Sequence, residues 1–266
     1  MREPKEIITY WYEQIGFPES YNESFFCALK KYEINTETKV SDYEDKGDGV
    51  ENFLYFLYFC EELRQQYRKM GISEKILRDT ISDLTIWLNI WSGLKGGLYL
   101  GEIKWLKLHF SMKLFRLGRL QYGFKTMERD LSELGIVKGN KVIEVHIPAL
   151  GPLVLNDCID SLDVARTFFE KYFPEYEYEY FSCHSWLLDE DLVELLGGKS
   201  NIVMFGRLFN IVDRDESDAI LNYTLRWKIK REEVSTAKAK SSLAKKVQQL
   251  ALEGKVFHDG YGFIRK

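Results

Sequence analysis

Residues 141–173 read KVIEVHIPALGPLVLNDCIDSLDVARTFFEKYF, and how they fold decides the architecture. Lys141 to Ile147 alternates along its length, the period-2 pattern of a strand with one buried face. A short Pro/Gly loop follows. Ile159, Leu162, Ala165, Phe169 and Tyr172 then recur at helical spacing, which predicts a helix over 157–172 with Asn156 as its cap. Alternation sends Val142, Glu144 and His146 to one side of the strand and Ile143, Val145 and Ile147 to the other. The second set is core. The first places a carboxylate and an imidazole roughly 7 Å apart along the strand. An unperturbed imidazole already titrates near neutrality, as a base for an amine should. The carboxylate could hold the imidazolium or bind a cationic substrate. A polar face that only meets water is the plain alternative.

The same stretch tests for an anion site. A helix start behind a strand offers free N–H groups and a positive dipole end, both suited to phosphate. Here the loop ALGPL has one glycine and a proline, which lacks an N–H. Asp157 and Asp160 in the first turn already complement the dipole and would repel an anion. On chemistry alone this loop is a connection rather than a phosphate cradle.

Upstream the chain reads helical. Ile7 to Gln14 ends at Gly16, Ser24 to Lys31 makes a second segment, and the polar stretch 35–49 is a loop. Val50 to Met70 is a longer helix stopped by Gly71. Ser73 caps the next, in which Ile76, Thr80, Leu84, Trp87 and Trp91 form one stripe closed by Gly93. Ile103, Leu106 and Phe110 fit a further helix. From about Leu117 the pattern changes. Arg119 to Met127 alternates, Gly135 to Asn140 turns, and Tyr176 to Leu187 alternates again. A short helix follows over Glu190 to Leu196. Ile202 to Val212 and Ile220 to Lys230 read as two strands joined by the acidic loop DRDESD. A last helix, Ser235 to Glu253, leads to a glycine-interrupted terminal strand. The expected fold class is α+β, a helical N-terminal domain (1–115) followed by a mixed α/β C-terminal domain (116–266).

Composition narrows the function classes. With 266 residues, 45% of them hydrophobic, the chain can bury a sizeable core. A net charge of −4 argues against a nucleic-acid partner. The basic run Lys238 to Lys246 reads as a solvated helix face. The most apolar window, Phe53 to Cys60, is far too short for a membrane span. The start carries acids and no long apolar stretch, unlike a signal peptide. The widely spaced Cys27, Cys60, Cys158 and Cys183 contain no CxxC pair, which fits a reduced, cytoplasmic protein and offers no metal site.

A second constellation lies in FSCHSWLLDEDL, residues 181–192. Cys183 and His184 are neighbours in a strand and face opposite sides, so they form no dyad. Cys183 reads as a buried inert thiol, and acts as a nucleophile only if another base reaches it. No GxSxG elbow and no GxxxxGK[ST] loop is present.

Taken together, HIPALGPL, DSLDVARTFFEKYFPEY, FSCHSWLLD, SNIVMF, FRLGRLQYGF and SSLAKKVQQLALEGKVFHDGYGFIRK resemble, in order, the bacterial acyltransferase-domain proteins. These join a helical N-acyltransferase N-terminal domain to a GNAT-like C-terminal domain. The resemblance is loose over 1–100 and closer from 115 onward. It implies an acyl-CoA-dependent N-acyltransferase in which an amine attacks a thioester directly. It takes acetyl-CoA or another acyl-CoA as co-substrate, a small-molecule amine as acceptor, and no metal. By that reading His146 is the general base, and Glu144 is its helper or the base itself. Backbone groups of Pro148, Ala149, Leu150 and Gly151 hold the thioester, Ser185 or Tyr180 assists the leaving thiolate, and His184 and Trp186 line the acceptor side. The helical part shapes the acceptor pocket or pairs with a second copy as a homodimer. GNAT enzymes carry a Q/R-x-x-G-x-G/A loop for the pyrophosphate; only Gly151 stands in its place. That departure supports an alternative, a GNAT-like fold kept as a non-catalytic binding module. Hydrolysis through Cys183 or Ser185 is the third reading.

Overall fold

The structure, a computed structural model, describes residues 3–266. The chain divides into two compact units. One holds the chain up to Gly123 together with Pro148–Leu150; the other holds Phe124–Ile147 and Gly151–Lys266.

The first unit is built on helices. α1 (Pro4–Ile15) and α2 (Asn22–Lys31) pack on α3 (Gly49–Met70). The Asp48 carboxylate accepts from the N–H groups of Val50 and Glu51 at the start of α3, and Gly71, at φ 71°, ends it. Aromatic rings fill the space between: Tyr12 stacks on Phe25 at 3.7 Å, and Phe17 meets Phe53 edge-on at 5.0 Å. Burying each such ring is worth about 1.5–3 kcal/mol. Ser73 caps α4 (Glu74–Ile81) as expected, its Oγ accepting from the Ile76 N–H.

The stripe from Ile76 to Trp91 is not one helix. The chain breaks at Ser82 and resumes as α5 (Asp83–Lys95). The Ser82 hydroxyl donates to the Asp79 carbonyl at 2.6 Å and accepts from Arg116 Nη1 at 2.9 Å, a side-chain alternative to the helical ladder. α6 (Ile103–Phe110) follows, then β1 (Leu114–Leu117), a strand absent from the sequence reading. It pairs antiparallel with β2 (Leu120–Thr126), the strand seen in the alternation of 119–127.

The second unit contains β3 (Lys141–His146), α7 (Leu155–Tyr172) and β4 (Tyr180–Ser185). α7 starts two residues early; Asn156 lies inside it, and Val154 stands at the N-cap with no side-chain cap bond. α8 (Leu192–Leu196) and α9 (Asn201–Gly206) lead to β5 (Asn210–Glu216). Then come α10 (Ala219–Thr224), α11 (Ser242–Leu252) and β6 (His258–Arg265). The expected hairpin over 202–230 is therefore wrong. Its apolar ends are helices, with Val203, Ile220 and Leu221 buried in one cluster with Leu192, Val247 and Phe257. Its acidic "loop" is most of β5. The final helix is also shorter than expected: 231–236 is a 3₁₀ turn, and Ser241 caps α11.

Strand order is β1-β2-β3-β4-β6-β5. β3 and β4 are parallel, while β6 runs antiparallel to both of its neighbours, β4 and β5. β5 is an edge strand, where charged side chains are tolerated and protect against further pairing. Glycines in β6 answer close packing: a Cβ on Gly260 would lie 2.4 Å from the Leu188 carbonyl oxygen. One face of β3 and β4 presents Ile143, Val145, Phe181 and Cys183, all buried. Phe169 of α7 continues that core through Tyr178 to Phe181. The other face starts with an apolar cluster of Met127, Ile136, Val142, Tyr261 and Phe263 and becomes polar further along β3 and β4.

Candidate active site

The polar region follows from register. Glu144 pairs with Ser182 and His184 with Tyr261, so these side chains share a sheet face with His146. Asp213 pairs with Tyr261, and Asp215 with Asp259, on the same face. Among the described residues, parallel β3 and β4 pair at Ile143↔Phe181 and Glu144↔Ser182 alone. Beyond that point β3 runs on to His146 and β4 to Ser185. The carboxyl ends of parallel strands are a usual place for ligands in such sheets.

Glu144 is the centre of the charge arrangement. Its Oε1 contacts Lys125 Nζ, and its Oε2 lies 3.4 Å from His146 Nε2. All three side chains are only partly buried. Burial pushes the Glu144 carboxyl up, but the hydrogen bond and charge of His146, with those of Lys125, outweigh it and hold the group at about 2. A carboxylate so weakly basic is a poor proton acceptor at neutral pH. Lys125 was not singled out in the sequence. Its only signal there was its place in an alternating strand, with nothing to say which strand paired beside it.

The remaining expected residues fall in separate places. His184 is exposed, 3.5 Å from Asp215 through Nε2 and edge-on to the Tyr261 ring. Trp186 does not continue its face: β4 ends at Ser185, and Trp186 opens a 3₁₀ turn and stacks on Tyr223 at 6.4 Å. Ser185 points to the side opposite Glu144, and its Oγ accepts from the Leu187 N–H. Tyr180, at the start of β4, donates to the Leu134 carbonyl at 3.2 Å. Cys183 is fully buried, and burial, with the nearby Glu144 charge, pushes its thiol far up. That places it outside the range of a nucleophilic thiolate. In the loop, Pro148 is buried, Leu150 partly buried, and Ala149 and Gly151 exposed. Pro148 has no N–H, and the Leu150 N–H donates to the Pro148 carbonyl at 2.7 Å. The Leu150 donor is therefore already engaged, and Gly151 sits at φ 48°.

Asp189, Asp191 and His258 bring three donor atoms within 4.8 Å. Lys255 Nζ lies 2.6 Å from Asp191 and Arg214 Nη1 3.5 Å from it, so cationic side chains already balance this group.

Ser182 was likewise missed. It is fully buried beside Glu144 in register, and its Oγ has no hydrogen-bond partner.

Comparison with known proteins agrees with this architecture. Residues 114–264 match the GNAT-like C-terminal domain, and residues 16–112 match the N-acyltransferase N-terminal domain. No curated protein matches the chain. Among solved structures, an acyltransferase in complex with CoA and 10C-teicoplanin aligns with TM-score 0.70 at 24% identity, covering 81% of this chain. The present chain spans 66% of that protein's length. An acyltransferase in complex with decanoyl-CoA aligns with TM-score 0.69 at 27% identity, over 88% of this chain and 71% of that one. A mutant acyltransferase in complex with octanoyl-CoA reaches TM-score 0.79 at 21% identity, over 98% and 88% of the two chains. At the lower identities the likeness speaks for the fold. The chain belongs to the N-acyltransferase-domain family, in which an N-acyltransferase N-terminal domain precedes a GNAT-like C-terminal domain.

Proposed function

We propose that the protein is an acyl-CoA-dependent N-acyltransferase acting on a small-molecule amine. One observation carries the reading: the pairing of β3 with β4 stops at Glu144 and Ser182, and His146 stands at the end of β3. A thioester lying beyond the end of this pairing would meet main-chain groups, with an imidazole beside the incoming nitrogen. The related structures hold CoA, decanoyl-CoA and octanoyl-CoA, which supports an acyl-CoA donor and favours a chain longer than acetyl.

In this mechanism the neutral amine attacks the thioester carbonyl carbon. The C–N bond forms, and the carbonyl oxygen takes negative charge facing main-chain N–H groups beyond the end of the β3–β4 ladder. His146 accepts the proton that the nitrogen releases. The C–S bond then breaks and CoA leaves as the thiolate. A thiolate whose acid has a pKa of roughly 8.5 departs with little assistance, so no further acid on β4 is required. His184, with Asp215, borders the acceptor side. We place the division between domains near residue 115; the two family matches end at 112 and begin at 114. We also assign the protein to the cytoplasm, in keeping with its free cysteines.

The test is acyl-CoA-dependent thiol release with a panel of amines and with acetyl-, octanoyl- and decanoyl-CoA. Release that saturates in donor and requires amine supports the proposal. Saturable acyl-CoA binding by calorimetry with no release under any amine would instead favour a non-catalytic binding module. The reduced glycine signature and the engaged Leu150 N–H are what speak for that second reading.

A further inference from the structure

Lys125 has no part in the reaction as written, yet it occupies a fixed position in the site. Its backbone is fastened first: the Tyr176 hydroxyl lies 2.8 Å from the Lys125 carbonyl oxygen and 3.1 Å from that of Val142, spanning neighbouring β2 and β3. Its ammonium sits 5.5 Å from the centroid of the Tyr261 ring, a cation–π contact that restricts the side chain. From there Nζ reaches Glu144 Oε1, while Oε2 faces His146 Nε2. A carboxylate accepts hydrogen bonds and donates none when ionised, so the ring nitrogen facing it must carry the proton.

We propose that Lys125 is a positioning residue: it clamps one oxygen of Glu144 so that the other holds the His146 proton on Nε2 and fixes the ring's tautomer. This rests on the reading of His146 as the base. Without the ammonium the carboxyl loses one of its two anchors, turns about its χ angles, and no longer selects one tautomer. An arginine at 125 can replace the clamp, because it presents N–H donors and a permanent charge.

The experiment is a ¹⁵N spectrum of the histidine rings at about pH 8.5, above the usual histidine range, with the His146 signals assigned by the His146→Ala variant. It is paired with steady-state kinetics on Lys125→Met, Lys125→Arg and the charge-neutral double variant Lys125→Met with Glu144→Gln. Wild type should show the Nε2–H tautomer. Lys125→Met should show a mixture of tautomers and a kcat lowered by about tenfold, a part of the ~10²–10⁴ that a general base contributes, with KM for acyl-CoA little changed. Lys125→Arg should restore most of both. The double variant, which leaves no unpaired carboxylate if the single variant fails to fold, should also show mixed tautomers. An unchanged tautomer in Lys125→Met, or a changed tautomer with wild-type kcat, overturns the proposal. Absence of transfer by the wild type is a different failure, that of the acyltransferase reading; the ring spectrum still reports whether the clamp exists.

Discussion

Among the described residues, two of the histidine–carboxylate pairs have the same separation. In the helical unit His109 Nε2 lies 3.4 Å from Asp83, and in the α/β unit His146 Nε2 lies 3.4 Å from Glu144. Distance does not tell them apart; surroundings do. The side chains of His109 and Asp83 are 0% and 4% exposed, against 27% and 21% for His146 and Glu144. Asp83 also accepts from the indole N–H groups of Trp87 and Trp105 and from the Gln121 amide, at 3.0, 2.8 and 2.8 Å. That carboxylate is closed off by donors drawn from α5, α6 and β2, and it organises the packing of its unit. The other pair is partly exposed, near the end of β3 where its pairing with β4 stops. A buried, saturated pair is a structural device, whereas a partly exposed one retains a side from which chemistry can proceed.

Mutation should separate the pairs. Asp83→Ala leaves several buried donors without this acceptor and should cost about 3–5 kcal/mol of stability, read as a shift in the urea midpoint. His146→Ala should move that midpoint less, since a partly exposed ring contributes little packing and Lys125 still holds Glu144. Equal destabilisation by both would erase the distinction.

Acid titration gives the next largest effect. The folded Glu144 carboxyl, near 2, is depressed below its ordinary value of 4.5. Its contribution is therefore fully present above the unfolded value and is lost as pH falls from about 4.5 toward 2. The gap corresponds to on the order of 3 kcal/mol, less what water screens at the exposed part of the side chain. Glu144→Gln should lack this acid limb in unfolding free energy measured at several pH values. Identical limbs in variant and wild type would mean that Lys125 and His146 do not hold the carboxylate. The smallest effect belongs to Cys183→Ala. With its thiol buried and protonated, transfer should continue at the wild-type rate, and covalent acylation of Cys183 detected by mass spectrometry would contradict the direct-attack scheme.

Much of the fold is legible in the sequence where local pattern and burial agree. The helices around Val50 to Met70 and Ile103 to Phe110 and the strand–loop–helix of 141–173 are of this kind. So is the common face of Glu144 and His146, which needs only the two-residue period. Local pattern misleads at β5, where Asp213, Asp215 and Glu216 imitate a turn because an edge strand needs no apolar alternation. It misses the break at Ser82, set by bonds to Asp79 and to Arg116, a residue distant in sequence. It also missed Lys125, because which strand lies beside which is decided by the sheet as a whole. Spacing placed Trp186 with His184, but the strand had already ended at Ser185.

The most direct test of His146 as base is single-turnover release of CoA thiol from octanoyl-CoA in the presence of an amine that the wild type accepts. With acyl-CoA binding verified by calorimetry, His146→Ala should slow release by about 10²–10⁴-fold while leaving donor affinity close to that of the wild type. Release by the variant at the wild-type rate would contradict the assignment.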